Sequence, residues 1–105
     1  MNHNNSLRIN PAEEGVVEVC TPSTLDAVNV PNIMIPALKA LTGQVKETHI
    51  DLSETTFMDS AGVGLLVKLY RQSKQHNISM KIIGVKGQPL SLIQSLQIDK
   101  VIVLE

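Results

Sequence analysis

Aromatic side chains are almost missing from this chain. Phe57 and Tyr70 are the only two, and there is no tryptophan. No platform for stacking bases is available, so a nucleic-acid role is not expected. An excess of either charge is missing too. The net charge is −1 and no basic stripe stands out, which leaves a phosphate backbone without an electrostatic footprint. Cys20 is the single cysteine, so an internal disulfide is excluded, and a reducing compartment suits the chain. No apolar run approaches the roughly 20 residues of a membrane helix. The opening, MNHNNSLRIN, lacks a charged segment followed by an apolar one, so no signal peptide is expected. These absences point to a cytoplasmic protein without nucleic-acid or membrane contact.

What is present suits one compact domain. The chain has 105 residues, 43% of them hydrophobic and 18% charged. A chain of this size buries roughly 60–70% of its unfolded surface and needs neither metal nor disulfide to hold a core. Residues 1–5 are polar and read as a flexible tail, leaving a single domain over 6–105. SLRIN reads as an edge strand ended by Pro11, EEG at 13–15 as a turn, and VVEVC as a strand. A helix follows, with Asn29 as N-cap, Pro31 in its first turn and Gly43 as its stop. Pro36 lies in the second turn, where it forces a bend or a late start. Met34 and Ile35 beside it suggest a helix sunk in the core, with a partner surface as the alternative.

A strand over 47–52, a connecting loop, a helix from Ser60 to Asn77, a strand ISMKIIGV, a helix GQPLSLIQSLQI and a last strand KVIVLE complete the chain. The order is β-β-α-β-α-β-α-β. The predicted class is therefore α/β: a mostly parallel sheet of four to five strands with three to four helices and an antiparallel first strand. In such sheets sites gather where strand ends lead into helices. The loop over 53–60 lies at that edge.

The segment TTFMDSAGVGLLVKLY, from Thr55 to Tyr70, is the unusual part of that edge. Two glycines fall at the start of an apolar helix, where each costs about 0.8–1 kcal/mol against alanine. The segment is no dinucleotide fingerprint, because Val67 stands where a third glycine is needed, and it is no phosphate-cradling loop. It is no nucleophile elbow either, with Met58 in the place of the first glycine. Ser60 has no evident base: His3 lies in the tail, His49 in a strand, and His76 about 24 Å away along the helix. Nor do the histidines have metal-ligand spacing. Catalytic, metal and cofactor sites are therefore not expected. Asp59 or Ser60 can cap the helix, whose first amides carry about half a positive charge and attract anions. A hydroxyl there suits a phosphate that its own helix tolerates.

The run HIDLSETTFMDSAGVGLLVKLYRQSKQHNISMKIIG resembles the STAS domain family, the sulfate transporter and anti-sigma factor antagonist domain. The likeness is greatest to free-standing bacterial anti-sigma factor antagonists. GVVEV followed by LDAVNVP, and the final VIVLE, extend it to most of the chain. The resemblance implies that Ser60 is reversibly phosphorylated, with Asp59 and Asp26 positioning it. It implies two partners: an anti-sigma factor with serine kinase activity, bound by the unphosphorylated form, and a metal-dependent serine phosphatase. Thr55, Thr56, Phe57, Met58, Ala61, Gly62 and Gly64 would form the binding surface, with the two threonines as further hydroxyls in the same loop. PSTLDA departs from the usual lead into the first helix, as do Met34, Ile35 and Pro36 from that helix's usual polar outer face. A STAS-like subunit that scaffolds a transporter or signalling complex without being phosphorylated is the alternative.

Overall fold

A computed structural model describes residues 6–11 and 13–105; the expected tail over 1–5 lies outside them. Among the described residues, five strands form one sheet in the order β1-β2-β4-β6-β7: β1 (Arg8–Pro11), β2 (Val16–Cys20), β4 (Glu47–Asp51), β6 (Ser79–Ile83) and β7 (Val103–Leu104). Only the β1–β2 pair is antiparallel; β2–β4, β4–β6 and β6–β7 are parallel. The reversal between β1 and β2 runs through the short helical turn Glu13–Gly15, where Gly15 adopts φ +83°. A left-handed residue there is readily supplied by glycine. The three α-helices are α1 (Val30–Ala40), α2 (Ser60–Gln75) and α3 (Gly87–Ser95).

Strand residues alternate, and the alternation gives the sheet one covered face. Val17, Val19, Ile50, Met80 and Ile82 are buried and form one core cluster with Ile33 and Ala37 of α1, Leu65, Leu66 and Leu69 of α2, and Ile93 of α3; Thr48, on the same face, is a buried polar residue. The intervening residues Glu18, Glu47, His49, Asp51 and Lys81 are only half-buried. A sheet buried on both faces reads as a continuous apolar run, whereas this one reads as apolar in, polar out.

Helix α1 starts at Val30, and Pro36 stands inside it. The helix tolerates the ring because Pro36 is on the exposed side, so the carbonyl four residues back, left without its amide partner, faces water. Ile35 is 59% exposed and Met34 half-buried, so the helix is not sunk in the core. Asn29 holds the N-cap position but makes no side-chain cap; its amide donates to Thr24 instead. Asp26 braces the turn before the helix: its Oδ1 accepts from the amides of Val28 and Asn29 at 3.0 and 2.9 Å.

The connecting loop expected after β4 is partly a strand. Thr24–Leu25 (β3) and Phe57–Met58 (β5) pair in parallel as a second, two-stranded sheet. Each is too short for periodicity to reveal. The last strand is also shorter than expected, because a helical turn occupies Ile98–Lys100.

Two stability predictions follow from the sheet. Thr48 Oγ1 is buried without a hydrogen-bond partner, between Val17 and Met80 in register. An unpaired buried hydroxyl is costly, so Thr48→Val should raise unfolding free energy by about 1 kcal/mol in urea titrations. On the open face the His49 ring bonds the Glu47 carboxylate, and Lys81 adds its charge; together they hold Glu47 below its usual 4.5. A depressed carboxylate stabilises the fold above its unfolded pKa and loses that contribution as pH falls through the folded value. Glu47→Gln should therefore flatten the acid limb of stability against pH below about 4.5.

Candidate functional site

The site is the corner where β3, β5 and the start of α2 meet. Asp59 caps α2: its Oδ1 accepts from the Ala61 amide at 2.8 Å. Its other oxygen, Oδ2, accepts from the Ala27 amide at 3.3 Å. One carboxylate thus ties the lead into α1 to the first turn of α2. Ala27 directly follows Asp26, so the two acids named from the sequence come together through this bond. Of the two capping candidates, Asp59 is the cap, and Ser60 is the first helical residue and exposed. Its hydroxyl stands free at the positive end of a 16-residue helix.

The loop beneath Ser60 is held from inside. Thr55 is 1% exposed. Its hydroxyl donates to the Pro22 carbonyl at 2.6 Å and lies 2.6 Å from Thr21 Oγ1. Thr21 Oγ1 in turn lies 3.2 Å from the Asp51 carbonyl, so two hydroxyls and two carbonyls form one buried chain. Thr55 is therefore a buried latch and not an exposed hydroxyl. Thr56 is exposed, with its hydroxyl 3.3 Å from the Ser23 carbonyl.

The expected binding surface divides into two groups. Phe57, at 45% exposure, Thr56 and Gly64 lie outside, and Ala61 is half-buried. Thr55, Met58 and Gly62 are buried and cannot touch a partner directly. Met58 points into the core because strand β5 alternates: Phe57 faces out and Met58 in. The two glycines have opposite reasons. A Cβ on Gly62 would stand 2.5 Å from Met58 Cγ and 2.7 Å from the Leu25 carbonyl oxygen, so glycine lets α2 lie directly on β3 and β5. A Cβ on Gly64 would meet open space. Only Gly64 keeps the surface bare.

The surface extends onto α1, where the sequence reading held a partner surface at Met34 and Ile35 only as the alternative. Val28 is 77% exposed, and Pro31, Ile35 and Pro36 are exposed with it. Val28 lies in the turn before the helix; within α1, Pro31 and Ile35 are four residues apart, the spacing of one helical face. That spacing was a usable signal, hidden by the strength of the inward face. The stripe begins one residue from Ala27, and so at the Asp59 corner.

Comparison with known proteins gives the family. Residues 10–105 match the family model for the STAS domain. An anti-sigma-B factor antagonist of Listeria monocytogenes is 27% identical over 94 residues, covering 87% of this chain and 80% of that protein. Among solved structures, a STAS domain protein from Planctomyces limnophilus, described as an anti-sigma-factor antagonist, superimposes with a TM-score of 0.82 at 24% identity, covering 94% of this chain and 87% of that one. The Bacillus cell fate determinant SpoIIAA in its phosphorylated form gives a TM-score of 0.74 at 18% identity, covering 95% and 91%.

The glycines provide the prediction. Gly62→Ala should destabilise the domain by about 1–3 kcal/mol, through overpacking against backbone that cannot yield. Gly64→Ala should stabilise it by about 0.5–1 kcal/mol, because only helix propensity is at stake. Paired urea titrations of the two variants check both signs.

Proposed function

Because the chain belongs to the STAS domain family, we propose that it is a cytoplasmic, non-enzymatic partner-switching regulator of the anti-sigma factor antagonist kind. Unphosphorylated, it binds an anti-sigma factor that is also a serine kinase. That kinase phosphorylates Ser60 and ends the complex, and a metal-dependent serine phosphatase restores it. The name of the Listeria relative supports the choice of partner. The observation that carries the reading is the exposed Ser60 hydroxyl at the first position of α2, directly after the capping Asp59.

The physics explains how so small a change can switch a partner. A phosphoserine adds about −1.5 to −2 charges at neutral pH. At the start of α2 the helix favours that charge, by about 0.3–1 kcal/mol for an exposed group. The domain therefore keeps its fold. A partner pressed against the corner meets the phosphate and Asp59 together, and like charges brought into apposition cost several kcal/mol. Phe57, Ala61 and Gly64 give that partner apolar contact and room for close approach, and Val28 and Ile35 continue the contact along α1.

The test is to incubate the protein with the kinase and ATP, digest it and map the phosphate by mass spectrometry. One phosphate on Ser60 is expected, with none in a normally folded Ser60→Ala variant. Undiminished incorporation into Ser60→Ala would overturn the assignment, and Thr55 should stay unmodified throughout.

A further inference from the structure

Strand β5 has two edges, and only one is paired with strand. The amides of Phe57 and Asp59 point toward β3 and donate to the carbonyls of Ser23 and Leu25. The Met58 N–H and C=O point the other way, to the free edge. An open strand edge leaves such groups without a ladder, and Met58 is 1% exposed, so little water reaches them. A single side chain fills the gap. The Met58 amide donates to Gln88 Oε1 at 2.8 Å, and Gln88 Nε2 donates to the Met58 carbonyl at 2.8 Å. One carboxamide thus makes both bonds that a neighbouring strand would make.

Gln88 lies in the first turn of α3, beside the buried Pro89. It is thirty residues from Met58 and belongs to no part of the motif around Ser60. We propose that Gln88 is a positioning residue for the Ser60 switch: its carboxamide stands in as a third strand on β5 and fixes the backbone that leads into Asp59 and Ser60. The inference rests on Ser60 being the acceptor. β3 holds the segment from one side through the Ser23 and Leu25 carbonyls, and Asp59 holds it from the α2 side. Gln88 closes the remaining side, so the acceptor segment is ordered before any partner arrives. Without the clamp, the partner must order it on binding.

Only a carboxamide supplies this pattern at neutral pH. Gln88→Ala removes both bonds. Gln88→Glu keeps an acceptor for the Met58 amide but sets a carboxylate oxygen against the Met58 carbonyl, where a donor is needed. Gln94→Ala, on the exposed side of α3, is the control.

The experiment joins amide hydrogen exchange on the free, full-length chain with steady-state phosphorylation by the kinase that modifies Ser60. In Gln88→Ala, exchange at Met58 and its neighbours through Ala61 should quicken by about ten-fold or more, while the amides of β2 and β4 keep their protection. KM for the protein substrate should rise by about ten-fold with kcat within about two-fold, because the lost order is made up at binding. Gln88→Glu should behave like Gln88→Ala, and Gln94→Ala like the parent. Unchanged exchange at Met58 in Gln88→Ala would overturn the proposal. So would faster exchange spread evenly through α2, α3 and the sheet, which marks general destabilisation. If the parent protein takes no phosphate on Ser60, the assignment of Ser60 fails, and the exchange data alone decide whether Gln88 clamps the segment.

Discussion

Everything at the Ser60 corner depends on one carboxylate that bonds in two directions. Asp59 accepts from Ala61 in its own helix and from Ala27 in the lead to α1. A side chain that capped only α2 would leave the two helix starts free to part. Shared between them, it fixes the angle at which α2 leaves the small β3–β5 sheet, and with it the direction in which Ser60 faces solvent. The buried latch of Thr55 on Pro22 and the absent side chain of Gly62 support the same geometry from beneath.

That geometry separates stability from signalling. The residues that hold the corner are buried or bonded inward: Thr55, Met58, Gly62 and Asp59. Those that a partner could touch carry little of the fold: Ser60, Phe57, Gly64, Val28 and Ile35. A negative group added at Ser60 changes the second set and leaves the first alone. The corner thus meets a requirement of any switch by modification, that the modified form still be a folded protein.

Much of this was legible in the sequence, for identifiable reasons. The five main strands, their mostly parallel direction and the antiparallel first strand followed from strand-helix alternation and the EEG turn. The Asp59 cap followed from the helix start, and Ser60 and Asp26 were marked by the family resemblance. Burial in the loop was not legible, because Thr55, Met58 and Gly62 sit in a stretch too short for a period, and their neighbours Thr56 and Phe57 face outward. The outward stance of Ile35 was held only as the alternative, because an apolar residue in an apolar helix reads first as core. The Gln88–Met58 pairing was invisible, because a glutamine at the start of a helix carries no local mark of a backbone it meets thirty residues away.

The central claim is that phosphate at Ser60 is accepted by its own domain and refused by the partner. The most direct measurement pairs calorimetric binding to the anti-sigma factor with thermal melting, on protein phosphorylated at Ser60 and on unmodified protein. The account predicts melting temperatures within about 2–4 °C of each other and an affinity weakened about 100-fold or more by the phosphate. A phosphorylated domain that melts far lower, or that binds as tightly as the unmodified one, would contradict it.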